Sequence, residues 1–202
     1  SEAQVFVNGE KVCFWPYGYN SFHCDVTGQI KEGANEIAVL LENREQSSRW
    51  YPGAGLYRKV RHITQPQVHV PVWGTYVTTP HIGKEHAVVS VRTKIEGIEK
   101  GSAVTLKTRI LDPDGNAVAC VTDTRLLHFG EIEQTLTVEN PTLWSPESPV
   151  MYFVETEVYA GGSVNTDWNM DRPEISIADG TVPCDKVSTR FGFRTIEIIP
   201  DK

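Results

Sequence analysis

The segment Ser48-Arg49-Trp50-Tyr51-Pro52-Gly53-Ala54-Gly55-Leu56-Tyr57-Arg58 gathers three aromatics, two arginines, two glycines and a proline within eleven positions. A guanidinium group donates paired hydrogen bonds to oxygen acceptors, and Trp and Tyr carry large apolar rings with a polar tip. Glycine opens backbone conformations that other residues resist, and proline fixes φ. The combination predicts a rigid loop that presents polar groups to something outside its own domain. Arg49, Trp50 and Tyr51 are therefore the candidates for such an outward contact. The competing reading is a domain-interface clamp, with Arg49 stacked on Trp50 or Tyr51. Arg58 and Arg194 read as interface or structural cations. Trp15, Tyr17 and Tyr19, close to Asn20, form an aromatic cluster that reads more simply as packing than as a stacking platform.

Other groups with chemical potential are sparser. His23 and Asp25 alternate with Cys24 on a predicted strand and could share a face as metal ligands, but no third ligand is in view. A solvated strand face is the simpler reading. Asp112-x-Asp114-Gly115 hints at a calcium loop, yet an EF-hand places glycine sixth and glutamate twelfth, where this chain has Ala117 and Asp123. A hairpin turn is expected there instead. The four cysteines, Cys13, Cys24, Cys120 and Cys184, are widely spaced with no Cys-x-x-Cys, which argues against structural zinc. Free or buried thiols are expected, with one disulfide open to an oxidising compartment. There is no Gly-x-Ser-x-Gly elbow and no glycine-rich phosphate loop. The expectation is a chain with no catalytic group, no metal and no cofactor of its own.

With 202 residues, 40% hydrophobic and 22% charged, the chain has the composition of a globular protein, one large domain or two small ones. A formal charge of -7, with no basic run, argues against a grip on nucleic-acid phosphates. No apolar stretch approaches the ~20 residues that span a bilayer. The opening Ser1-Glu2-Ala3-Gln4-Val5-Phe6-Val7 lacks the basic start and apolar core of a signal peptide and reads as mid-strand. The chain is expected to begin inside a domain, and the compartment stays open.

Positioning such groups falls to strands. Alternation of period two is common and helical periodicity is nearly absent. Val89, Val91, Thr93 and Ile95 share one face against Ser90, Arg92 and Lys94. Val104, Leu106, Thr108 and Ile110 repeat the pattern, as do Ile132, Gln134, Leu136 and Val138, then Val150, Tyr152, Val154, Thr156 and Val158. Seven strands are expected near 68–78, 86–96, 103–111, 117–126, 131–139, 150–159 and 188–198. Such spacing suggests an immunoglobulin-like sandwich over 66–199. The first 65 residues are also strand-rich, with a hairpin at Asn8-Gly9, a strand from Glu36 to Leu41 and another from Leu56 to Ile63. Residues 161–186, with five acidic residues, two basic ones and Trp168, are too long for a hairpin connection. They read as an inserted arm or contact loop, or as a mobile connection.

Three blocks carry a resemblance to glycoside hydrolase family 2, the β-galactosidase, β-glucuronidase and β-mannosidase group. Val5-Phe6-Val7-Asn8-Gly9, Phe22 to Asp25 and Gly33-Ala34-Asn35-Glu36-Ile37-Ala38-Val39 resemble the end of the family's sugar-binding jelly roll. Arg49-Trp50-Tyr51-Pro52-Gly53-Ala54-Gly55-Leu56-Tyr57-Arg58 resembles its closing signature, in a form most similar to bacterial β-galactosidase-type members. Asn140-Pro141-Thr142-Leu143-Trp144-Ser145-Pro146 with Tyr152, then Phe191-Gly192-Phe193-Arg194, resembles the immunoglobulin-like second domain. The resemblance implies an all-β chain: a partial jelly roll over 1–65, then a sandwich over 66–199 with an insertion near 161–186.

The resemblance also implies that both catalytic carboxylates lie on a TIM barrel of the same polypeptide, downstream of this chain. That barrel would be its first partner, and carbohydrate would reach it through the whole enzyme. Asn35-Glu36 matches the family's Asn-Glu acid by type alone. Its setting, a turn entering a sandwich strand, matches the jelly roll. Some members hold a sugar hydroxyl with an acidic residue just before the loop tryptophan, where this chain has Ser47-Ser48-Arg49-Trp50. The resulting expectation is a non-catalytic scaffold of a hydrolase acting on terminal β-glycosidic bonds. A stand-alone carbohydrate-binding module and an adhesion-type sandwich are the alternatives. An incomplete jelly roll leaves sheet edges open, so the first 65 residues should pair with a second copy, lean on the second domain or be partly mobile. A periplasmic or extracellular setting is compatible with a bacterial parent and is not established by these residues.

Overall fold

The computed structural model describes residues 2–43, 53–127, 130–160, 165–167, 174–177 and 180–196. The chain divides into two compact units, Ser1–His62 and Ile63–Lys202. No helix occurs among the described residues, and the fold class is all-β.

In the first unit β1 (Glu2–Val7), β2 (Glu10–Trp15) and β3 (Ile37–Glu42) form an antiparallel sheet in the order β2-β1-β3. The expected hairpin is present. Asn8 and Gly9 both adopt positive φ (50° and 86°), the requirement of a tight turn that follows strand twist. Alternation along β1 buries Ala3, Val5 and Val7 on one face. The predicted strand from Leu56 to Ile63 does not form. Gly55 and Arg58 take positive φ (153° and 69°), which breaks an extended run, and Leu56, Tyr57, Val60 and Ile63 are all exposed.

The second unit holds β4 (Thr75–Ile82), β5 (His86–Lys94), β6 (Ala103–Leu111), β7 (Ala117–Leu126), β8 (Glu131–Glu139), β9 (Tyr152–Ala160), β10 (Asn165–Asp167), β11 (Glu174–Ser176) and β12 (Asp185–Phe191). One sheet runs β4-β5-β8 and the other β12-β9-β6-β7, with every neighbouring pair antiparallel. The alternating apolar faces meet between them. Ala87, Val89, Val91, Ile110, Leu136, Val138, Tyr152, Val154 and Phe193 form one core cluster, and Val104, Leu106, Ile132 and Val158 belong to a second. This is a seven-stranded sandwich of immunoglobulin type. The 161–186 region contributes the β10-β11 hairpin between β9 and β12.

Several strand boundaries shift from expectation, and the two largest shifts have identifiable reasons. The first strand starts at Thr75, not 68, because Val70 to Gly74 is a turn. Gly74 N donates to Pro71 O at 2.7 Å, and Trp73 has φ 62°. A Cβ at Gly74 would stand 2.8 Å from Pro71 Cδ and Pro71 O, so glycine is the residue that fits. The last strand ends at Phe191 rather than 198, where the chain turns to pack on Trp144.

The core contains one polar tie. Gln134 on β8 is 2% exposed. Thr108 Oγ1 on β6 donates to its Oε1 at 2.6 Å, and its Nε2 donates to Leu106 O and Asp123 Oδ2, each at 3.3 Å. These bonds join the two sheets and satisfy an amide that would otherwise be costly to bury.

Candidate functional site

Of the five residues singled out from sequence, Arg49, Trp50 and Tyr51 lie outside the described residues. Arg58 and Arg194 are described, and both are exposed. Arg58, in the first unit, places its guanidinium 5.4 Å from the ring centroid of Tyr57, its own neighbour. Its φ of 69° turns the chain there.

Arg194, in the second unit, stands on a more elaborate support. Its guanidinium lies 5.0 Å from the Trp144 ring centroid. Trp144 is fixed in turn: its N donates to Phe193 O at 2.8 Å, and Leu143 and Phe193 form a parallel bridge. Thr142 N donates to the Tyr152 hydroxyl at 3.0 Å. Phe193 is fully buried, edge-on to Tyr152 (4.8 Å) and to Phe191 (5.0 Å). Gly192 admits this packing, since a Cβ there would approach the Trp144 Cβ to 3.1 Å. The Asn140–Pro146 segment and the Phe191–Arg194 segment are thus two halves of one packed unit, with a cation stacked over its exposed end.

The remaining candidates resolve into structural roles. Asn35 Oδ1 accepts from Lys31 N (2.8 Å) and Asn8 Nδ2 (2.9 Å), while Asn35 Nδ2 donates to Lys31 O and Gly33 O. Glu36 N donates to Asn8 Oδ1 at 3.1 Å. The Asn35-Glu36 pair is turn hardware beside β3. His23, Cys24 and Asp25 do not sit on a strand. Asp25 Oδ1 accepts from Thr27 N and Thr27 Oγ1 at 2.9 and 2.6 Å, and these bonds hold its carboxyl below the ordinary value. Asp112 Oδ1 accepts from Asp114 N and Asn116 N at 3.0 and 2.8 Å, a carboxylate closing a hairpin turn. No group of three or more His, Cys, Asp or Glu is placed to hold a metal ion among the described residues. In the aromatic cluster Trp15 stacks on Phe22, and Tyr17 lies against Tyr19, both tyrosines more than half exposed.

Two clusters escaped the sequence reading. On the outer face of the four-stranded sheet, Arg109 Nη2 meets Glu155 Oε1 (2.5 Å) and Glu157 Oε1 (2.7 Å). Lys186 Nζ lies 2.9 Å from Glu155 Oε2, and Tyr159 donates to Glu157 Oε2 at 3.0 Å. The Lys186 hydrogen bond is the largest influence holding the Glu155 carboxyl below its ordinary value, and both Lys186 and Arg109 add charge attraction. A carboxylate held this way does not serve as a proton donor at neutral pH. The Glu-x-Glu spacing on β9 opposite Arg109 on β6 was the available signal. The second cluster is a recess of about 170 Å³ lined by Trp73, Gly74, Tyr76, Arg92, Lys94 and Glu131. Arg92 stacks over Tyr76 at 4.7 Å and pairs with Glu131 at 3.5 Å. An aromatic at positive φ, as Trp73 is, is the unusual backbone feature that marks it, and no sequence pattern announces that.

Comparisons with known proteins agree with this architecture. The model of the family "Glycosyl hydrolases family 2" matches residues 68–171, half of the chain. A putative β-glucuronidase of Formosa agariphila is 33% identical over 96% of this chain, and the match covers 17% of that protein. The β-galactosidase BoGH2A of Bacteroides ovatus is 36% identical over 77% of this chain and 19% of its own length. Among solved structures, a glycosyl hydrolase family 2 member from Bacteroides cellulosilyticus superposes with a TM-score of 0.76 at 30% identity, covering 97% of this chain and 25% of that one. The chain therefore spans about a fifth of the curated relatives it matches. Its sandwich, its packed tryptophan segment and the family match converge, and the chain belongs to glycosyl hydrolase family 2.

Proposed function

We propose that this chain is a non-catalytic supporting part of a β-glycosidase whose carboxylate pair lies on a TIM barrel elsewhere in the same polypeptide. The whole enzyme would cleave terminal β-glycosidic bonds, with β-galactosides and β-glucuronides as the substrate classes suggested by its relatives. Retaining hydrolysis needs two free carboxyl groups about 5–5.5 Å apart, one of them able to give up a proton. The observation that carries the reading is the fate of the close carboxylate pair: Glu155 and Glu157 are neutralised by Arg109 and Lys186, while Asn35 and the Glu36 backbone N hold a turn. The domains proposed are a jelly-roll portion over 1–65 and a sandwich over 66–199. Arg49, Trp50 and Tyr51 are proposed at the pocket rim or barrel interface, Arg58 beside them in sequence, and Arg194 as a barrel-facing cation at the end of the packed Trp144 segment.

The test compares this chain with a polypeptide extended through the barrel, using nitrophenyl β-galactoside and β-glucuronide. The extended protein should turn over one of them and this chain neither. Turnover by the purified chain alone overturns the division of labour. A second reading, a saccharide-binding module, is favoured by the Trp73–Tyr76 recess, where exposed rings lie beside Arg92, Lys94 and Glu131. Calorimetry of this chain against galactosides decides it: heat of binding lost on Trp73→Ala supports the module.

A further inference from the structure

The chain between β2 and β3 folds back along the end of β2, and two side-chain pairs fix how it does so. Trp15 stacks on Phe22 with centroids 5.6 Å apart and planes 12° from parallel. Two residues before Trp15 and two after Phe22, the thiols of Cys13 and Cys24 share a hydrogen bond. The stack brings the two arms together, and the thiol contact lies two residues further along each of them. Both thiols belong to half-buried residues. Cys13 is anchored on β2 opposite Val5. The other two cysteines lie in the second unit, Cys120 exposed on β7 and Cys184 donating to Val158 O at 3.1 Å.

We infer that Cys13 and Cys24 are a redox pair that closes into a disulfide across the neck of the aromatic loop 14–23, by exchange with a low-molecular-weight disulfide. Burial, then the neighbouring Cys13 sulfur, push the Cys24 thiol up to about 12, which disfavours Cys24 as the attacking thiolate. The Cys13 thiolate bonds to one sulfur of the disulfide R–S–S–R. Its S–S bond breaks, and one RS⁻ leaves and takes a proton. Cys24 then gives its proton to solvent and attacks the Cys13 sulfur, releasing the second thiol. Two protein thiols are oxidised to one disulfide, and R–S–S–R is reduced to two RSH. Closure ties the loop bearing Tyr17 and Tyr19 back to β2.

The 202-residue chain is incubated with oxidised glutathione, alkylated without reduction and digested with trypsin. Both cysteines fall in one peptide, Val12–Lys31, with no lysine or arginine between them. The expected result is that this peptide escapes alkylation and is about 2 Da lighter than its reduced form. Cys13→Ser and Cys24→Ser should each abolish the change, and Cys120→Ser with Cys184→Ser should leave it intact. Two alkyl groups on Val12–Lys31 after oxidation overturn the inference. So does a stable glutathione adduct on Cys13, or a link from either cysteine to Cys120 or Cys184.

Discussion

Replacing Gln134 by leucine tests whether the polar tie between the sheets stabilises the sandwich or merely avoids a penalty. The amide makes three bonds, but two of them, from Nε2, are 3.3 Å long. Only the bond from Thr108, at 2.6 Å, is short. After Gln134→Leu the Thr108 hydroxyl still reaches Thr156 Oγ1 at 3.1 Å, so it is not orphaned. At about 1 kcal/mol for a good bond and less for long ones, the loss should be about 1–2 kcal/mol, below the sum of three full bonds. Thr108→Val leaves the Gln134 Oε1 buried without its short donor and should cost about 2 kcal/mol. Replacing both removes donor and acceptor together, so the double variant should be at least about 1 kcal/mol better than the sum of the singles. Urea unfolding of the four proteins, followed by circular dichroism and tryptophan fluorescence, supplies the cycle. Additivity within about 0.5 kcal/mol would falsify the view that these two side chains act as one buried unit.

Other expectations follow from single sites. Gly97 has φ 77°, and a Cβ there would lie 1.6 Å from Gln67 O, so Gly97→Ala should cost at least about 2 kcal/mol in the same assay. Thr93 is fully buried and its Oγ1 has no hydrogen-bond partner, so Thr93→Val should raise stability by about 1 kcal/mol, and a loss of that size would refute the penalty assigned to its hydroxyl. The Glu155 carboxyl is held below its ordinary value of 4.5, first by Lys186 and then by Arg109. Its stabilising share is therefore whole above pH 4.5 and disappears as pH falls through the lowered value. The urea midpoint of the native chain should drop over that acid range, and Glu155→Gln should show a shallower drop. In the barrel-extended protein, Arg194→Ala should lower activity without abolishing it, through a raised KM or a lower melting temperature, and unchanged values of both would remove Arg194 from the proposed interface.

The sandwich was legible because burial has period two in strands. Every core position read from alternation on β5, β6 and β8 is buried, including the polar Thr93, Thr108 and Gln134. What alternation does not encode is where pairing stops. The Trp73 turn rests on a positive φ and a Gly74–Pro71 bond, and the Gly192 approach on the side chain of distant Trp144; neither follows from alternation, so both strand ends moved. Leu56 to Ile63 carried strand-forming residue types and stayed irregular, since propensity is overruled where the chain turns at Gly55 and Arg58. The Arg194–Trp144 stack joins residues fifty positions apart that the family resemblance had named separately. The contact between Cys13 and Cys24 needed the fold of the intervening loop, which aromatic content alone did not reveal.

Strands β9 and β12 are hydrogen-bonded neighbours from Val158–Asp185 onward, and Cys184 N already donates to Val158 O at 2.8 Å. Whatever lies in 161–183 therefore departs from and returns to adjoining points on one sheet. For a tether whose ends are held together, doubling its length costs only about 0.6 kcal/mol. This doorway can accept appended sequence, or surrender it, while the sandwich keeps its registry. It is the natural place on this domain to splice in an epitope or a second module.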